Sequence, residues 1–195
     1  GPASLPPRLR IGVPATLPPE VAAAEAAAFE AACAQAREIG AELVPVDFTP
    51  LHEVAALLYA GPWVAERWTV IGELLQSRPE AVDPAVREVV AGATAYSAAD
   101  TFTAMYRLRE LARQATTIWQ HCDLLLVPTA PEHPMLAQLA AEPVAANSRL
   151  GLYTNFVNLL GWCAQAMPSN VKPDGLPFGV TFIALAGFDA ALARF

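Results

Sequence analysis

Apolar and polar positions divide this chain into short elements punctuated by proline and glycine. Residues 8–13 read as a strand stopped at Pro14. Pro18-Pro19-Glu20 then opens a helix, with prolines and a carboxylate in its first turn, that runs to about Ile39 and stops at Gly40. Residues 43–48 alternate as a second strand. Strand, helix, strand at this spacing predicts a βαβ-like unit with its two strands parallel in one sheet. A helical pattern follows from Thr49 or Pro50 to about Gln76 and is interrupted at Gly61-Pro62. Proline there predicts a kink or a fresh helix start, because it lacks an N–H and its ring crowds the carbonyl one turn back.

Asp83-Pro84 pairs an N-cap with a first-turn proline and starts a short helix to about Ala91. Ser97 to Asp100 caps a longer one, residues 98–120, in which Phe102, Met105, Tyr106, Leu108, Ile118 and Trp119 partly follow a helical stripe. Residues 123–127, apolar after Asp123 and bounded by Pro128, carry the mark of a buried central strand. Residues 129–147 have no clean period and read as a long functional loop, with a helical turn near residues 135–141. Residues 153–160 are helical. Residues 164–167 and 178–185 are strands separated by the polar turn Lys172-Pro173-Asp174-Gly175, and a last helix begins near Phe188. The fold class is therefore α/β, several helices around a mixed sheet. Residues 1–7 read as a linker or cloning remnant and residues 8–195 as one domain or part of one.

Composition narrows the function. A chain of 195 residues that is 54% hydrophobic and 16% charged, with positive mean hydropathy, is ordered and buries much surface. It is apolar enough to hint at a missing partner surface. Net charge is −7 without a Lys/Arg cluster, which argues against nucleic acid. Cys33, Cys122 and Cys163 are widely spaced and odd in number, fitting a reducing cytoplasm. His52, His121 and His133 show no metal-ligand spacing, so no metal is expected, and no cofactor motif is legible. No apolar run reaches the roughly 18 residues a membrane span needs.

Catalytic constellations are mostly missing. There is no G-x-S-x-G elbow and no Gly-rich phosphate loop. Cys163 follows Trp162 in an apolar setting and reads as a packed thiol rather than a nucleophile. The one conspicuous stretch is Tyr59-Ala-Gly-Pro-Trp-Val-Ala-Glu-Arg67, where a phenol and a guanidinium flank the helix break. On a straight helix they would stand about 12 Å apart along the axis. A bend lets both reach one small ligand; the plainer alternative is an amphipathic aromatic and a solvated arginine.

The C-terminal third carries a resemblance. Tyr153-Thr-Asn-Phe-Val-Asn-Leu-Leu160, Pro168, and Asp174-Gly175-Leu176-Pro177-Phe178-Gly179-Val180-Thr181 are similar to the closing part of amidase-signature enzymes, and residues 124–131 to the family strand that ends beside the substrate. The Tyr153 and Tyr59 wordings resemble the allophanate hydrolase branch of that family. The resemblance covers nearly the whole chain. It implies an amidase-signature fold and an amidohydrolase of urea breakdown, in which a serine attacks the terminal amide of allophanate and ammonia leaves. The family's Ser–cis-Ser–Lys triad lies in a Gly/Ser-rich segment of the earlier half of the domain. No such segment exists here; Ser169-Asn170 lacks the glycines, and Lys172 sits in a turn.

The expectation is thus a C-terminal half that recognises substrate but by itself hydrolyses nothing. Its partners would be allophanate and the rest of the amidase domain; a homodimer stays open. Tyr59 and Arg67 match the family's substrate-binding pair, suited to a carboxylate by a bidentate guanidinium contact and a phenol hydrogen bond. Thr129 and Asn155 are further polar candidates, each with a turn or cap role as its alternative. Another amidase-signature amidase, an amidotransferase subunit or a non-catalytic binding module are the competing readings.

Overall fold

A computed structural model describes residues 3–194, with the side chains of Tyr59 and Ala60 outside the described set; Gly1 and Pro2, part of the expected linker, and Phe195 also lie outside it. Five strands make one mixed sheet in the order β2-β1-β3-β5-β4. β1 (Arg10–Pro14) pairs in parallel with β2 (Glu42–Val46) and with β3 (Leu124–Pro128). The helix between the first two, α1 (Ala23–Glu38), completes the expected strand–helix–strand unit. β5 (Pro177–Ala184) runs antiparallel to both β3 and the edge strand β4 (Cys163–Val171).

β3 is buried at every position, and its apolar run is explained by the two cores it feeds. Leu125 and Val127 point into a cluster with Phe48, Leu51, Val54, Leu111, Tyr153 and Phe156. Leu124 and Leu126 point the other way, into a cluster with Ile11, Phe29, Ala32, Phe178 and Val180. Successive residues of a strand face opposite sides, so a strand covered on both sides cannot alternate in polarity. The first cluster is closed by α2 (Thr49–Ala60), α5 (Ala98–Ala115) and α8 (Asn155–Leu160). The second is closed by α1 and the short α9 (Asp189–Leu192). Between α2 and α5 run α3 (Val64–Ser77) and α4 (Pro84–Ala91). α5 opens with the expected cap: the Ser97 hydroxyl accepts from the Asp100 N–H at 3.2 Å, and the Asp100 carboxylate accepts from the Ser97 N–H at 2.8 Å.

Of the boundaries that differ from the sequence expectation, three have a clear physical reason. α1 starts at Ala23 rather than at the prolines, because Pro19 biases Pro18 away from helical backbone; the segment forms a turn closed by Val21 N–H to Pro18 O at 3.0 Å. The segment 129–147 is an irregular loop only to Met135. It then forms α6 (Leu136–Ala141), the expected helical turn, and an unexpected α7 (Pro143–Leu150), where Pro143 occupies the first turn, the one helical place that needs no N–H from it. β4 continues past Met167 to Val171 through a register shift between Pro168 and Asn170; an edge strand tolerates the missing donor of Pro168.

Candidate functional site

The long helical pattern of residues 49–76 is two helices. α2 ends at Ala60, Gly61 is extended (φ −131°, ψ −179°), and α3 restarts at Val64. Pro62 forbids continuation, while Gly61 permits the close return of the chain: a Cβ at Gly61 would lie 2.7 Å from the Leu57 carbonyl oxygen. The restart is tightened by Ala65 N–H to Pro62 O at 2.8 Å and Glu66 N–H to Trp63 O at 3.2 Å.

Arg67 sits one turn into α3 and is half-buried. It lines a cavity of about 440 Å³ whose other walls are Val86, Val89 and Val90 of α4 and Pro143, Val144 and Asn147 of α7. Asp83, at the cavity edge, is engaged elsewhere as the cap of α4, accepting from Ala85 N–H at 2.9 Å and Val86 N–H at 3.3 Å. A guanidinium at a wall shared by four valines with Asn147 and Ser148 can meet a small carboxylate in a bidentate, charge-assisted contact. Tyr59 lies in the last turn of α2; its side chain is outside the described residues.

Thr129 follows β3 and belongs to a different cavity, of about 410 Å³, with His133, Met167, Phe178 and Gly179. Its hydroxyl is 3.0 Å from that of buried Thr181, and its N–H donates to Gly179 O at 3.0 Å. Asn155 opens α8, and its N–H donates to Gly151 O at 2.9 Å. Its amide fills the space a side chain at residue 151 would need, 2.1 Å from a Cβ built there. Arg67 and Thr129 therefore line separate cavities, and Asn155 lines neither. Tyr153, which begins the same motif, is fully buried, its ring edge-on to those of Phe48 and His52. Cys163 is buried, donates to Leu185 O at 3.1 Å, and has its thiol pKa pushed up by burial, as a packed thiol should.

Sequence reasoning missed a charged cluster. Lys172 is in the β4–β5 turn by backbone, with Lys172 N–H to Leu176 O at 2.9 Å, yet its side chain is buried. Its Nζ donates to Glu25 Oε1 at 2.5 Å and lies 3.4 Å from both His133 Nδ1 and Asp174 Oδ2; His133 Nδ1 is 3.1 Å from Glu25 Oε1. Burial pushes the Glu25 carboxyl up, but the hydrogen bonds from Lys172 and His133 outweigh it and hold the net value below the usual range. The Glu25 hydrogen bond raises the Lys172 ammonium against the opposing effect of burial. The cluster pins α1, the turn and the loop after β3 to one another. A signal existed: Glu25 precedes Ala28, Phe29, Ala32, Cys33 and Ala36 on the buried stripe of α1. Among the described residues, no group of three or more His, Cys, Asp or Glu could hold a metal ion.

Comparison with known proteins decides the family. A family model described as Amidase matches residues 3–193. The chain belongs to the amidase family. Over 155 residues, 78% of the chain, it is 43% identical to urea amidolyase of Saccharomyces cerevisiae, of which that stretch is 8%. Its fold matches Kluyveromyces lactis allophanate hydrolase with a TM-score of 0.94 at 37% identity, covering 99% of this chain and 32% of that one. It also matches the Kluyveromyces lactis urea amidolyase with a TM-score of 0.93 at 36% identity, covering 99% and 12%. The amidase fold, a mixed sheet wrapped by helices, is thus present here over a small fraction of these relatives' lengths. No described helix is long and apolar enough to cross a membrane.

Proposed function

We propose that this chain is the substrate-recognition half of an amidohydrolase that releases ammonia from the terminal amide of allophanate. Arg67 binds the carboxylate at the far end of the substrate, with Tyr59 adding a hydrogen bond. The observation that supports this reading is the position of Arg67, a guanidinium in a valine-walled cavity directly after a helix break, in a chain that matches allophanate hydrolase along almost its full length. The nucleophile comes from the serine-bearing half of the domain, since no Gly/Ser-rich segment occurs among these residues. Once that serine attacks the amide carbonyl, ammonia departs, water resolves the acyl-enzyme, and the product loses carbon dioxide. What this half contributes is orientation: a charge-assisted bidentate contact fixes the distal end, so the amide carbonyl is presented to the serine in one pose.

Thr129 and Asn155 take structural roles in this reading, as the Thr129–Thr181 contact and the packing of Asn155 over Gly151 suggest. A substrate panel on the domain carrying both halves tests the proposal. Allophanate should be hydrolysed with a kcat/KM at least 100-fold above that for neutral amides of similar size. Equal rates on neutral amides would point instead to a general amidase.

A further inference from the structure

The Arg67 cavity is closed by a helix that packing holds only lightly. Arg67 and the valines of α4 belong to one continuous run, α3 followed by α4, so these two walls are joined through the short turn between them. The third wall is α7. It presents Pro143, Val144, Asn147 and Ser148, spaced at i, i+1, i+4 and i+5 and therefore on one side of the helix. The width of the cavity is set by the distance from that side to α3 and α4. Yet α6 buries none of its residues and α7 only Ala146. One methyl group removed from water, with partly exposed neighbours, fixes a helix weakly.

Charge supplies what packing lacks. Arg149, in the last turn of α7, donates from Nε to Glu132 Oε1 at 3.0 Å, and its Nη1 stands 3.6 Å from Glu142 Oε2 at the start of the same helix. The Arg149 and Glu132 side chains are 38% and 25% exposed, so the pair is partly withdrawn from water and screened less than a surface pair. Glu132 is itself held. It lies in the loop after β3, between Pro131, whose carbonyl accepts from Ala22 N–H at 2.9 Å, and His133, whose Nδ1 is 3.1 Å from Glu25 Oε1. At the start of that loop the Thr129 N–H donates to Gly179 O at 3.0 Å. The loop is thereby tied to the sheet and to α1, and Arg149 ties α7 to the loop.

We propose that Glu132 and Arg149 are positioning residues for substrate recognition: their ion pair seats α7 against α3 and α4 and so sets the width of the cavity in which Arg67 meets its ligand. Neither residue lines that cavity. The inference rests on the reading of Arg67 as the group that binds the carboxylate of allophanate, and adds what holds the opposite wall in place. A carboxylate gains a bidentate contact only when it is held in the plane of the guanidinium. Breaking the pair lets α7 shift, so substrate and transition state lose the same orientation, and the loss falls on KM rather than on kcat. A rivet for the fold alone would behave differently, lowering Tm and the active fraction while the remaining enzyme kept its KM.

Steady-state kinetics on the domain carrying both halves test it. Arg149→Ala and Glu132→Gln should each raise KM for allophanate at least fivefold with kcat within twofold of wild type, and leave kcat/KM for a neutral amide within threefold. Arg149→Lys, which keeps the charge, should hold KM within threefold. Combining Glu132→Gln with Arg149→Ala should be no worse than the worse single variant, because the two residues form one contact. In an Arg67→Ala background, Arg149→Ala should change kcat/KM for allophanate less than twofold, since the wall then faces no guanidinium. If Arg67→Ala impairs the enzyme but KM is unmoved in both Arg149→Ala and Glu132→Gln, or the loss is confined to kcat and Tm, the inference is overturned and the reading of Arg67 stands. An Arg149→Ala effect undiminished in the Arg67→Ala background would overturn it equally. Arg67→Ala with wild-type kcat/KM would instead overturn the reading of Arg67, and this inference with it.

Discussion

Glu25 and Lys172 show what a single pair of residues contributes here. Both are almost inaccessible, at 2% and 5% exposure, so each charge depends on the other. Removing one partner of a buried pair strands the other, and Lys172→Met should destabilise the protein by about 3–5 kcal/mol. Adding Glu25→Leu should recover most of that loss, because an apolar pair of similar volume needs no solvation. Chemical denaturation of the single and double variants measures both. A Lys172→Met cost below about 0.5 kcal/mol would show that the pair does not fasten the turn. The pH dependence follows from the directions of the shifts. The depressed Glu25 value makes its contribution present above the ordinary glutamate value of 4.5 and lost as pH falls through the folded value. The raised Lys172 value makes its contribution present below 10.5 and lost as pH rises through the folded value. The Tm advantage of the wild type over Lys172→Met should therefore be flat between these limits and shrink in acid below 4.5. Local pattern could reveal half of this pair, since a carboxylate on the buried stripe of α1 asks for a partner. The partner is 147 positions away, and nothing near Lys172 distinguishes it from a solvated turn lysine.

At the scale of elements, proline marks the α2–α3 break and the starts of α2 and α4, and hides the start of α7. Pro62 after Gly61 marked the α2–α3 break correctly, because both residues act there against helix continuation. Pro143 lies in the segment whose lack of period predicts a loop, yet it begins α7, and α7 supplies a wall of the Arg67 cavity. The strand beyond Met167 was hidden by Pro168, Ser169 and Asn170, whose polarity fits an edge and not a core. A sharper expectation attaches to the break. Gly61→Ala places a methyl group 2.7 Å from the Leu57 carbonyl one turn back in α2, so the end of that helix must shift at about 1–3 kcal/mol. Urea denaturation should show that loss. Because Arg67 follows in the next turn, the variant should also raise KM for allophanate more than it lowers kcat. An unchanged KM with full stability loss would mean that the break is structural only.

For the whole molecule, the fold class and strand–helix order were legible because two-sided burial leaves a mark as plain as the β3 run. The sheet order was not. That β5 sits between β3 and β4 depends on pairings such as Leu125 with Ile183, far apart in sequence. The functional reading came from wording shared with a family, and the structure supplies it with a scaffold in which Arg67 and Thr129 occupy different cavities. If this half recognises and another half reacts, the purified 195-residue chain should give no detectable ammonia from allophanate. Turnover by that chain would place the nucleophile among these residues.

The most direct test is Arg67→Ala in the protein that carries both halves, assayed on allophanate and on a neutral amide. Loss of a desolvated carboxylate–guanidinium contact predicts a fall in kcat/KM for allophanate of about 30- to 5,000-fold, or ~2–5 kcal/mol, with the neutral amide changed less than about threefold. An allophanate kcat/KM equal to that of the wild type would contradict the account.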